Sequence, residues 1–297
     1  MSDKELESGL GNYLGEWAER VNARLDQLVP DDDLRVRKAM RYSVLAGGKR
    51  LRPVLAVAAH QAVGGDPEDV LDQACALELI HTYSLIHDDL PAMDDADLRR
   101  ARPTSHKIYG EAIAILAGDA LLPLAFEIIA AATARFPADR VVRVVAEVAA
   151  SVGARGMVAG QDLDLDAEGR RVSREHLERI HRLKTGALLK TSLRLGAILA
   201  DANEDQLGRL SRYGEAIGLA FQVVDDLLDV RGDAATLGKN PGDQEREKST
   251  YPAILGIDES QRLAEDLIRS ARSEVDEMGA TGKILCSLAD YIVSRTH

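Results

Sequence analysis

Leu207, Leu210, Gly214, Ile217, Phe221, Val224 and Leu228 recur at steps of three and four, which on a 3.6-residue turn forms one stripe along a helix of about 25 residues. A stripe of that length needs a partner surface. No run of alternating β-branched residues bounded by hairpin turns supplies a sheet, so the partners are other helices. Comparable stripes run through 34–46, 51–63, 68–90, 111–134, 138–158, 174–200, 258–278 and 283–295, and they are rich in the helix formers Ala, Leu, Arg and Glu. Pro53 suits a first helical turn, Gly64-Gly65 a helix end, and Pro91, Pro103, Pro137, Pro241 and Pro252 the joins. The pattern predicts an all-α bundle of about ten or more helices. With no Pro/Gly/Ser-rich linker or break in composition, residues 1–297 read as a single domain.

Charge narrows the function classes. The chain carries 37 Lys+Arg against 49 Asp+Glu, a net −12, which argues against a general nucleic-acid partner and against electrostatic adsorption to anionic membrane. Residues 1–11 are polar and acidic, without the order of a signal peptide. The most apolar stretch, 112–134, is interrupted by Asp119, Pro123 and Glu127, so no membrane span is expected. The expected location is cytoplasmic. Cys75 and Cys286 sit among apolar helical residues and read as reduced core residues.

Three polar constellations exceed what folding a bundle requires. In the first, Asp88, Asp89, Asp94, Asp95 and Asp97 crowd the end of an apolar helix and are followed by Arg99 and Arg100. His81 lies seven residues before Asp88, within about 20° of it around the helix and about 10 Å away along the axis. The second is Gln222 to Asp229, where Asp225 and Asp229 share a face bordering the stripe. Like charges at that spacing disfavour a helix slightly, which suggests either an intervening cation or plain exposure. All-oxygen ligation suits Mg²⁺, which commonly joins one or two carboxylates to substrate phosphates. In the third, Gly47-Gly48-Lys49-Arg50-Leu51-Arg52-Pro53 sets Lys49 and Arg52 on one side of a helix start, a setting that favours anions. Lys184, Lys239 and Lys248 add cations near the acids or at helix ends. In so acidic a chain, such clustering suggests a polyphosphate held partly by Lys/Arg and partly through metal.

The ordered set GGKRLRP, HDDLPAMDDADLRRARPT, GQ at 160–161, LKT at 183–185, FQVVDDLLD, LGK at 237–239 and KSTYP at 248–252 resembles the trans-isoprenyl diphosphate synthases, closest to the bacterial farnesyl diphosphate synthases, from about Tyr13 to the end. The resemblance implies an isoprenoid synthase-type helical bundle around a deep central cavity, usually in a homodimer. It also implies head-to-tail condensation of isopentenyl diphosphate with an allylic diphosphate by ionisation. By the same resemblance, three Mg²⁺ ions are held by Asp88 and Asp94 on one side and Asp225 on the other. Arg99, Lys184 and Lys239 match the allylic-diphosphate cations. Lys49, Arg52, His81 and Arg100 match the isopentenyl-diphosphate site. Thr185 and Gln222 match polar groups beside the carbocation, and no protein base is implied, so His87, His106, His176 and His181 read as structural. Asp89, Asp95, Asp97, Asp226 and Asp229 rank second, as outer or helix-end groups.

Tyr83 and Ser84 stand about 6–7.5 Å deeper along their helix than Asp88. In the family an aromatic residue there, with the insertion Pro91-Ala92, accompanies a C15 limit, so farnesyl diphosphate is the expected product and C10 or C20 the alternatives. The chain departs from the family pattern at Ala101, where Gly is usual, at Ala96 within the Asp run, at Ala159 before Gly160-Gln161, and between Gly238 and Lys248, which is one residue shorter. Four other classes fit less of the sequence. Glu78/His81 and Glu178/His181 have ferritin-like di-metal spacing, and His87-Asp88 resembles helical metal phosphohydrolases. A terpene cyclase has no need of Lys49 and Arg52, and an inactive scaffold should lack one of Asp88, Asp94, Arg99, Lys184 or Asp225.

Overall fold

The computed structural model describes residues 3–231 and 249–294; the positions of Lys239 and Lys248 lie outside them. The first half runs α1 (Asp3–Leu28), α2 (Arg35–Val44), α3 (Leu51–Ala62), α4 (Leu71–Asp88), a hairpin of β1 (Leu98–Arg99) and β2 (Arg102–Pro103), α5 (Ser105–Tyr109), α6 (Glu111–Ala131) and α7 (Ala138–Val152). The second half runs α8 (Met157–Asp166), α9 (Arg174–His181), α10 (Ala187–Leu199), α11 (Glu204–Arg231), α12 (Tyr251–Leu255), α13 (Ile257–Asp276) and α14 (Lys283–Ser294). It is an all-α bundle of the isoprenoid synthase type.

The helix starts follow local chemistry. Asp66 accepts a bond from the Glu68 amide ahead of α4, and Ser173 and Thr250 cap α9 and α12 through their hydroxyls. α4 is buried on most of its surface by α3 and α6, while α10 packs between α3, α7 and α11. A main core cluster runs through these helices, and a smaller one gathers Leu177, Leu219, Val223, Val224, Leu227, Tyr251 and Ala264. Both cysteines are free and buried.

Three expected helices are interrupted. The 68–90 stripe begins with a 3₁₀ turn at Pro67–Val70. The 138–158 stripe breaks between α7 and α8, where Gly156 passes so close to the Ser151 carbonyl that a Cβ would lie 1.9 Å from it. The 174–200 stripe contains a π turn, Arg182–Gly186. The stretch expected to fall short of a membrane span forms the α6 helix and a following 3₁₀ turn, and Glu111–Ala134 is long and apolar enough to cross a membrane by length and composition. Its inner face, including Ala117, Leu121 and Ile129, is buried in the core, while Ile115 and Leu116 stand exposed on the other.

Gly196 brings α10 onto α3 so closely that a Cβ would lie 2.0 Å from the Ala56 carbonyl oxygen. Backbone cannot swing aside as a flexible side chain would. Gly196→Ala is expected to cost about 1–3 kcal/mol, read as a lower urea midpoint; an unchanged midpoint would show that the two helices slide apart freely.

Candidate active site

α4 ends at Asp88, and the chain then folds back on it: the Asp94 amide donates to the Asp88 carbonyl at 2.8 Å, and the Asp95 amide to Leu90 at 3.0 Å. This return, through Pro91-Ala92, sets Asp94 beside Asp88. Burial raises the Asp88 carboxyl to about 6, with Asp94 and Asp89 adding to the rise and Lys184 and Arg99 opposing it. Lys184 projects from the π turn and donates to Asp164 at 2.7 Å. Burial alone would lower its pKa, but Asp164, Asp88 and Asp94 together hold it above the usual lysine value. A Cβ on Gly160 would lie 2.2 Å from the Lys184 amide nitrogen, so the glycine of the GQ motif is what lets α8 touch this turn.

On α11, Gln222 links two expected residues. Thr185 donates to Gln222 Oε1 at 2.8 Å, and Gln222 Nε2 donates to Asp225 at 3.1 Å. Asp226 turns elsewhere and accepts from the Tyr251 amide at 2.9 Å. Asp229 is exposed.

The hairpin separates two adjacent arginines. Arg100 (φ 54) and Ala101 (φ 58) both occupy the left-handed region, as the two central residues of a type I′ turn must. Arg99 donates twice to the buried Asp89, at 2.6 and 3.0 Å, beside the Asp88/Asp94 pair. The Arg100 guanidinium lies over Gly48, where a Cβ would be 2.5 Å away. There, a cavity of about 650 Å³ is lined by Lys49, Arg52, His81 and Arg100, with Leu14, Phe221 and Tyr291 among its apolar walls. Burial lowers Arg52 to about 10, partly offset by Glu78, and the Arg52 Nε has no partner. His81 is held well below its ordinary value by burial and by Arg52, Arg100, Arg99 and Arg50, so it is neutral at pH 7. His81 and Asp88, on one side of α4, share Arg99 as a neighbouring charge, with Arg52, Arg100 and Arg50 also acting on His81 and Lys184, Asp94 and Asp89 on Asp88.

Tyr83 is 8% exposed and meets His87 edge-on, ring centroids 5.9 Å apart. His87 in turn approaches the Ile115 carbonyl at 3.1 Å, in space left by Gly118 on α6. The Ser84 hydroxyl donates back to the His81 carbonyl at 2.9 Å within its own helix. His106 pairs with Thr104, and His181 packs against Tyr251. The Glu-x-x-His pairs do not form a di-metal site: Glu78 binds Arg50, Glu178 binds Arg174, and among the described residues no three His, Cys, Asp or Glu side chains converge on one point. Asp164 was not singled out in the sequence, and Glu78 was noted only for its spacing from His81, not as the partner of Arg50. Asp164 lies three residues after Gln161 in GQDLD, which is the only local signal for it.

Two cationic regions, one of them next to crowded carboxylates, thus lie within one all-α bundle. The polyprenyl synthetase family model matches residues 34–285. A dimethylallyltranstransferase of Fischerella ambigua (strain UTEX 1903) is 48% identical over 99% of this chain and 86% of its own length. A geranylgeranyl diphosphate synthase of Cyanophora paradoxa is 46% identical over the whole of both chains. The crystal structure of an FPP/GFPP synthase from Zymomonas mobilis superposes with a TM-score of 0.88 at 36% identity, covering 97% of this chain and 99% of that one. The chain belongs to the polyprenyl synthetase family.

Two predictions follow from this geometry. Ala101 is strained where Gly is not: relief of about 1–2 kcal/mol exceeds the roughly 0.4–1 kcal/mol of extra unfolded-state entropy, so Ala101→Gly should raise stability slightly, and a lower melting temperature would contradict the turn assignment. The Asp88 carboxyl rises from 3.8 to about 6 on folding, so its ionised form destabilises the folded chain above pH 6 and has no such effect below about 4. Asp88→Asn should therefore stabilise the free protein at pH 7, by on the order of 1–3 kcal/mol, with the gain fading as pH falls towards 4. Equal gains at pH 4 and 7 would show that charge is not the cause.

Proposed function

We propose that this chain joins isopentenyl diphosphate head to tail to an allylic diphosphate, dimethylallyl or geranyl, releasing diphosphate. The observation that carries the reading is the divergence of Arg99 and Arg100 from one turn, one towards Asp88 and Asp94 and the other towards Lys49 and Arg52. Two diphosphates bound side by side need such a division. A phosphohydrolase or a cyclase needs only the first region.

In this reading Lys184, Arg99 and Lys239 bind the allylic diphosphate, while Lys49, Arg52, Arg100 and neutral His81 bind isopentenyl diphosphate. Hard carboxylate oxygens fit Mg²⁺: Asp88 and Asp94 are half-buried like charges that a cation would relieve, and Asp225 offers a third. Because no full cage forms from the described side chains, the remaining ligands would be water and substrate phosphate. Three Mg²⁺ ions are expected with substrate; when bound, they supply Lewis-acid stabilisation of the departing diphosphate. Thr185 donates its proton to Gln222, leaving its oxygen lone pairs to face an allylic cation, and the apolar walls exclude water.

Product length has two supported readings. The Tyr83 ring, braced by His87 against α6, favours C15. The description of the Cyanophora paradoxa relative as a geranylgeranyl diphosphate synthase favours C20, and C10 would require a shallower floor. The exposed Ile115 and Leu116 of α6, with Val142 of α7, supply an apolar face suited to a homodimer. The chain is taken to act as one domain on water-soluble diphosphates in the cytoplasm.

With Mg²⁺, labelled isopentenyl diphosphate and dimethylallyl or geranyl diphosphate, purified protein should form a C15 or C20 product, read by chromatography. Asp88→Ala should abolish product, and retained full activity would reject the carboxylate assignment. Tyr83→Ala should lengthen the product by at least one isoprene unit; an unchanged length would remove Tyr83 from the chamber floor.

A further inference from the structure

Arg50 stands between Lys49 and Arg52 in sequence and borders the same cavity, but it is only 2% exposed and its guanidinium is taken up by protein groups. Its guanidinium makes three bonds to three different helices: Nε to Asn22 Oδ1 on α1 at 2.8 Å, Nη2 to the Val44 carbonyl at the end of α2 at 2.7 Å, and Nη1 to Glu78 on α4 at 2.7 Å. Its backbone sits at φ 50, one residue beyond the pair Gly47 (φ 83) and Gly48 (φ 126), with Lys49 between. A side-chain-bearing residue keeps that conformation only when its surroundings over-determine it. Two glycines alone would leave the loop free to wander.

We propose that Arg50 is a positioning residue for the second anion region: one buried guanidinium, bonded to α1, α2 and α4, locks the 47–52 loop in its strained path and so fixes where Lys49 and Arg52 meet an incoming diphosphate. The inference rests on the reading of Lys49 and Arg52 as the isopentenyl diphosphate site. Glu78 does double duty there, since its carboxylate also faces Arg52 and Arg100 and raises the pKa of both against the lowering by burial. Removing Glu78 for charge reasons alone would strengthen anion binding. Loss of positioning would weaken it, and because removing Arg50 and Glu78 together takes away one charge of each sign, a selective rise in KM for isopentenyl diphosphate reports positioning rather than net charge.

The test compares KM for isopentenyl diphosphate, KM for geranyl diphosphate and kcat in three variants. Arg50→Met combined with Glu78→Leu replaces the buried ion pair with apolar side chains of similar size, an exchange that buried pairs often tolerate. It should raise KM for isopentenyl diphosphate about tenfold, with the other two constants within about twofold. Lys49→Ala tests the underlying reading: an unchanged KM for isopentenyl diphosphate would overturn the site assignment itself. If Lys49→Ala raises that KM while the folded double variant leaves it unchanged, lowers it, or raises both KM values equally, the positioning role is overturned. Should the double variant not fold, Asn22→Leu removes a single bond and should raise the same KM roughly two- to fivefold; no change there would equally overturn the role.

Discussion

Charge buried inside an apolar bundle has to be paired, and the cavity lining is held by that requirement. Arg50 and Glu78, 2.7 Å apart, are fully enclosed, while the partly exposed Lys184 and Arg99 are set by Asp164 and the buried Asp89 at 2.7 and 2.6 Å. An isolated buried charge costs several kcal/mol, and pairing with additional hydrogen bonds offsets most of it. Each pair fixes one wall: the π turn, the hairpin and the α2–α3 loop. Asp88 has no such close partner among the described bonds and shows it in a raised pKa, which makes it the group with most to gain from a bound cation.

The backbone supplies the second constraint. Arg50, Asp95, Arg100 and Ala101 all have positive φ without being glycine, and all four flank the charged lining. A fifth such residue, Asp201, lies in the turn between α10 and α11, so four of the five described positions border the lining, as in a site preorganised for its ligands. The two-residue turn makes neighbouring arginines point to different regions, Arg99 to Asp89 and Arg100 over Gly48.

Most of the helical architecture was legible, because a stripe such as Leu207 to Leu228 can only be buried on a helix. The breaks were not. The apolar period continues across Gly153–Gly156 and across Arg182–Gly186, and nothing in it records that one turn is π. Two-residue strands such as Leu98–Arg99 and Arg102–Pro103 are too short to alternate. The charged candidates Asp88, Asp94, Lys184 and Arg99 were legible from their clustering, and the structure gathers them. Which cation is tied to the helices was not legible: Lys49, Arg50 and Arg52 look alike in sequence, yet the Arg50 guanidinium bonds to α1, α2 and α4. Its partner Glu78 and the Lys184 partner Asp164 become neighbours only when helices pack, so no local spacing announces them.

In the proposed function one chain holds two diphosphates at once, with the crowded Asp88/Asp94 pair at only one of them. Equilibrium binding of labelled isopentenyl diphosphate and an unreactive thiolo analogue of geranyl diphosphate, each with and without Mg²⁺, tests this most directly. Both ligands should bind the same chain together, and only the allylic analogue should depend on the metal. Mutual displacement, or equal dependence of both on Mg²⁺, would contradict it.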